Sequence, residues 1–142
     1  MSDSNFNFVN DIFCQIVDKK KAFGESSLTE AEHVVLWVWH ASGIIENGGF
    51  QYFFEQQLDV ETVAVAYQKI GAGKCAELLR LSLSLFPEPI LHADWMERIK
   101  YAEDNSDRFE NLSRAFWRED KKTEVRLAAY VHDYRDKILG GA

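Results

Sequence analysis

No lysine or arginine occurs between Ala22 and Gln68, a run of 47 residues that carries seven carboxylates: Glu25, Glu30, Glu32, Glu46, Glu55, Asp59 and Glu61. The segments on either side are electrically balanced, so the net charge of -7 comes from this third of the chain. Such an imbalance bears on surface potential and choice of partner rather than on fold. The pI near 5.1, and the acids interleaved with the bases of the C-terminal half, argue against direct nucleic-acid binding, which needs Lys and Arg clustered on one face.

Cysteine and proline are scarce as well. Cys14 and Cys75 stand far apart without CxxC spacing, the pattern of a reduced intracellular protein, with a single disulfide between them left open. The N-terminus has neither the basic nor the apolar region of a secretory leader, and no apolar run approaches membrane-spanning length, so a cytoplasmic protein is expected. The two prolines, Pro87 and Pro89, mark a break and a loop through His92. No segment alternates with period two, which excludes a sheet and makes the expected class all-α.

Aromatic residues are plentiful, with ten Phe, four Trp and five Tyr. A chain of 142 residues suffices for one domain with a sizeable core and no disulfide or metal staple. We therefore expect residues 1–142 to form a single compact domain of about seven or eight helices around an aromatic-rich core. Phe6, Val9, Ile12, Phe13, Ile16 and Val17 recur at helical spacing ahead of Lys19, Lys20 and Lys21, whose charge suits a helix C-terminus. Thr29 and Glu32 have the spacing of a capping box, which predicts the start of a second helix. That helix is apolar nearly all round from Val34 to Ile45, as befits a central element.

Asn47-Gly48-Gly49 is expected to end the central helix, with Phe50 to Phe54 restarting as a short aromatic one. Asp59 reads as the cap of a helix ended by Gly71, and another follows Gly73. Beyond the prolines, helices are predicted over Trp95 to Glu103, Asp107 to Arg118 and Thr123 to Ile138.

The usual catalytic signatures are missing. His33 and His40 are seven residues apart, but HExxH and paired Cys/His spacings are absent, so no metal or other cofactor is expected. Neither cysteine has a context that lowers its pKa, and no GxSxG elbow occurs. Asn47-Gly48-Gly49 is followed by aromatics and preceded by Glu46, which would repel a phosphate, so Asn47, Gly48, Gly49 and Phe50 read as a structural turn. Four aromatics among Phe50, Tyr52, Phe53 and Phe54 cannot all face inward, which makes Tyr52 and Phe53 candidates for a protein interface.

Trp37 to Phe54 with its Asn-Gly-Gly-Phe element, Ile70-Gly71-Ala72, Ala76-Glu77-Leu78-Leu79 and Leu85-Phe86-Pro87 carry a resemblance, extended more weakly by Phe109-Glu110-Asn111-Leu112 and Tyr130-Val131. In these residues the chain resembles the DNA-mimic protein family of small bacterial all-helical proteins. The resemblance implies an acidic homodimer that occupies the DNA-binding surface of a transcription factor. Spaced carboxylates can resemble the phosphates of a duplex, at about one charge per 1.7 Å.

The leading expectation is thus a non-enzymatic, acidic protein-binding module in which Glu30, Glu32, Glu46, Glu55, Asp59 and Glu61 act as charges toward a basic protein, a DNA-binding protein among the candidates. No membrane contact is expected, and a homodimer is consistent with the aromatic patch. The competing expectation is an enzyme or small-ligand binder with a pocket near Asn47, Tyr52 and His40.

Overall fold

The structure, a computed structural model, describes residues 2–141 and the side chains of 4–140. Among the described residues the chain forms eight α-helices and no strand: α1 (Ser2–Phe23), α2 (Glu30–Glu55), α3 (Val60–Lys69), α4 (Gly73–Leu83), α5 (Glu88–Leu91), α6 (Trp95–Asp104), α7 (Ser106–Asp120) and α8 (Thr123–Asp133). The all-α expectation holds. No helix among these residues is long and apolar enough to cross a membrane.

α2 is the central element, in contact with α1, α3, α6, α7 and α8. Its apolar circumference explains this, since a helix hydrophobic all round must be covered on every side. It begins at the predicted capping box: the Thr29 side chain accepts from the Glu32 N–H at 3.1 Å, and the Glu32 carboxylate accepts from the Thr29 N–H at 2.8 Å. Asp59 caps α3 as expected, accepting from the Thr62 N–H at 2.9 Å.

The core is aromatic on one side of α2. Phe50 meets Phe116 edge-on at 5.5 Å, Phe54 meets Phe86 at 4.9 Å and Phe109 at 5.7 Å, and Tyr67 meets Phe116 at 5.6 Å. These perpendicular contacts place ring edges against ring faces, as the aromatic quadrupole favours. They tie α2 to α3, α7 and the turn after α4.

Three local expectations are corrected. The helical hydrogen bonding of α2 runs through Asn47 and Gly48, and the break is confined to Gly49, whose φ of 68° and ψ of -166° are non-helical. The stretch from Pro87 to His92 is not a plain loop but contains the single-turn α5, with Pro89 in its first turn, where a missing N–H costs no helical hydrogen bond. The last helix stops at Asp133 instead of Ile138 because the tail is drawn to the start of α2. There the Thr29 hydroxyl donates to the Lys137 carbonyl at 2.6 Å, and the Leu139 N–H donates to Glu32 at 2.8 Å.

Candidate functional site: a cleft beside the α2 kink

The kink is held by α7. At Gly49 the chain enters a region of φ and ψ that is nearly glycine-only, and a Cβ there would lie 2.7 Å from the Ser113 hydroxyl oxygen. That same oxygen accepts the Phe50 N–H at 2.9 Å while donating to the Phe109 carbonyl at 2.8 Å. Trp117 donates its indole N–H to the Ile45 carbonyl at 2.8 Å. The backbone groups that a broken helix leaves without partners are thereby satisfied in the interior. Gly48 passes so close to Tyr52 that an added Cβ would stand 2.5 Å from the tyrosine Cβ.

Beside the kink, α1, α2 and the α7–α8 junction enclose a cleft of about 690 Å³. Phe6 and Phe13 of α1 and Trp39 of α2 give it an apolar side; Phe6 and Trp39 are 5.3 Å apart between ring centroids, and the Trp39 indole donates to Asn10 at 3.0 Å. His40, Glu46, Asn47 and Tyr52 line it from α2, and Asp120, Thr123 and Glu124 complete it. Asn47, Tyr52 and His40, the surroundings of the competing pocket expected from the sequence, all line this one cleft. Among the described residues no hydrogen bond engages the Asn47 side chain, and His40 is exposed rather than packed in the core.

The chemistry of the cleft centres on Asp120, which sequence reasoning passed over. Asp120 is only 4% exposed, and its carboxylate accepts from Ser42 at 2.6 Å, Thr123 at 2.7 Å and Tyr67 at 3.2 Å. Glu46 stands beside it in the cleft lining, close enough for the two carboxyls to interact. Burial, reinforced by the neighbouring Asp120 carboxylate and by Glu124, pushes the Glu46 carboxyl up to about 7, with Lys121 pulling weakly the other way. Glu46 is therefore about half protonated at neutral pH. His40, though solvent-exposed at one edge, is partly desolvated by the cleft, and this with the charge of Lys20 holds it below its ordinary range. Burial with Asp120 and Glu119 nearby pushes the Cys75 thiol to about 12, so this free cysteine is an inert core group.

The other predicted charges are dispersed and mostly neutralised. Glu30 pairs with Lys69. Glu61 receives a two-pronged contact from Arg80, at 2.8 and 3.0 Å, which holds its carboxyl below the usual range. Glu32 is fully buried; burial acts to raise its pKa, but Lys19, at 2.8 and 3.0 Å, and the N–H groups of Thr29 and Leu139 outweigh this and lower it. Asp59 is spent on its cap, and Glu55 is half-buried with no ion pair among the described residues. Two expectations fall: Glu32 and Phe53 are both 0% exposed and cannot meet a partner, whereas Tyr52 at 38% can. The stretch that lacks bases in sequence acquires Lys19, Lys69 and Arg80 from other positions once folded. Among the described residues no group of three or more His, Cys, Asp or Glu could hold a metal ion.

A family model described as DMP19-like protein matches residues 26–134. The chain belongs to the DMP19-like family. The matched region begins just before the Thr29 cap and runs through α8, so it contains the kink, the buried Asp120 and most of the cleft, leaving out only the α1 wall. This assignment corrects the resemblance drawn from the Asn-Gly-Gly-Phe element, because the DMP19-like family is distinct from the DNA-mimic proteins to which those residues pointed. The element itself is explained by packing: Gly49 and Phe50 are fixed by Ser113 and Phe116. Neither the curated proteins nor the solved structures provide a match.

Proposed function

We propose that this DMP19-like protein is a non-enzymatic binding module whose working surface is the cleft beside the α2 kink, and that its partner is a basic protein. The observation behind this is the Glu46–Asp120 pair: two carboxyls side by side in an open, aromatic-walled cleft, with no lysine or arginine ion-paired to either among the described residues. Two neighbouring carboxyls, one of them made hard to ionise by the other, are a poor arrangement for the isolated fold and a good one for receiving positive charge. Aromatic groups beside it suit a partner's basic side chain, whose stem is apolar and whose head attracts ring faces. The cytoplasmic setting read from the sequence is part of this proposal.

The test is retention of basic proteins from native lysate on immobilised protein at low salt, comparing the wild type with Glu46→Lys and with Glu55→Lys. Glu46→Lys places a cation in the cleft, and Glu55→Lys changes net charge equally outside the cleft. The proposal expects a basic protein retained by wild type and Glu55→Lys, released by salt, and lost with Glu46→Lys. Equal retention by Glu46→Lys and wild type would overturn it. A second reading, a small-ligand site, is favoured by the cleft's volume, and would be indicated if no protein is retained but small cations bind.

A further inference from the structure

Within the cleft one residue runs against helix economy. Gly43 lies in the middle of α2, where alanine would be more favourable by about 1 kcal/mol. Its φ is not in the left-handed region, and a Cβ built on it would meet nothing within 4 Å, so neither conformation nor packing calls for glycine. It lines the same cleft as Glu46, Asp120 and Trp39. A glycine with open space before it exposes helix backbone to whatever enters.

We infer that the cleft takes a single organic cation, an alkylammonium or guanidinium group, whose head sits against the Glu46 and Asp120 carboxyls and whose carbon chain lies against the bare backbone at Gly43. This rests on the proposed function and names the group that would be recognised. Aromatic Trp39 and Tyr52 supply the apolar and cation-attracting surface, and the carboxyl pair supplies the counter-charge. The proton balance is explicit: Glu46, with its carboxyl near 7, is about half protonated in the free site at pH 7 and ionised against the bound cation, so about half a proton is released to buffer per cation bound at that pH. The charged groups facing Glu46 are Asp120 at the end of α7, Lys121 after it and Glu124 on α8; His40 lines the cleft from α2, and α1 contributes Phe6, Asn10 and Phe13.

The test is calorimetric titration of the full chain with n-butylammonium and with N-acetylarginine amide, against N-acetylcitrulline amide as the neutral match, in two buffers of different ionisation enthalpy at pH 7. Expected are saturable binding of a cation but not of the citrulline compound, and a buffer-dependent heat that reports proton release. Glu46→Gln is expected to weaken binding about tenfold or more, the loss of one charge-assisted contact. Gly43→Ala is expected to weaken binding while raising the melting temperature, a combination that a merely structural glycine would not produce. Equal binding of the citrulline compound, absence of any saturable binding at millimolar cation, or identical heats in the two buffers would each overturn the inference. Failure of the small cations with a basic protein still retained through Glu46 would leave the partner reading standing; binding of the cations with no protein retained would do the reverse.

Discussion

Replacing Gly49 by alanine gives the sharpest quantitative prediction about the fold. Two costs add. A φ of 68° with ψ of -166° is a region that non-glycine residues occupy only at about 1–3 kcal/mol. The new Cβ, at 2.7 Å from the Ser113 hydroxyl, forces that side chain away, and the buried Phe50 N–H then loses its acceptor at about 1–3 kcal/mol. A combined loss of about 2–6 kcal/mol is a large share of the roughly 5–15 kcal/mol that holds a domain together. For a chain of this length it corresponds to a fall of about 6–24 °C in melting temperature. The assay is urea denaturation of wild type, Gly49→Ala, Ser113→Ala and the double variant. Because both singles cost the same Phe50 hydrogen bond, the double variant should be less destabilised than their sum. A loss below about 1 kcal/mol for Gly49→Ala, or strict additivity in the cycle, would refute the account of the kink.

Further outcomes concern charge and burial. Glu46 has a folded pKa raised above its unfolded value, so the folded state binds the extra proton, and stability falls as pH rises from about 4.5 to about 7 and is level above that. Glu46→Gln, which keeps a donor toward Asp120, should therefore be more stable than wild type at pH 8, on the order of 1 kcal/mol after solvent screening, with the advantage gone near pH 4. Glu32 shows the opposite sign: its lowered pKa contributes stability above the unfolded value that is lost as pH falls through the folded one. Glu32→Ala should cost about 3–5 kcal/mol in denaturant melts at pH 7 by stranding Lys19, and should flatten the acid limb of the stability profile. Phe53→Ala should cost about 3–5 kcal/mol, as for a buried ring, whereas Tyr52→Ala should weaken partner retention with a much smaller stability change.

Much of the helical layout is readable because its causes are local. The Thr29/Glu32 box, the Asp59 cap and the three- and four-residue apolar spacings involve neighbours within one turn, and each lies where the sequence puts it. The charge pattern misleads for the converse reason. Lys19, Lys69 and Arg80 are distant or outside the acid-rich stretch in sequence, and only packing brings them to Glu32, Glu30 and Glu61. Asp120 sits in Arg118-Glu119-Asp120-Lys121-Lys122, which reads as an exposed charged turn, and nothing local announces that Ser42 and Tyr67 join Thr123 around it. Ser113 carried a usable signal, as a polar residue on the apolar stripe of Phe109, Leu112 and Phe116. The shortened α8 was hidden because its cause lies at Thr29 and Glu32, at the far end of the chain.

The most direct test of the cleft as a cation-receiving site is a carbon-13 carboxyl titration of Glu46, with and without n-butylammonium. The account predicts a midpoint near 7 in the free protein that moves down toward ordinary carboxylate values as the cation fills the cleft. An ordinary midpoint in the free protein, or a midpoint near 7 that saturating cation leaves in place, would contradict it.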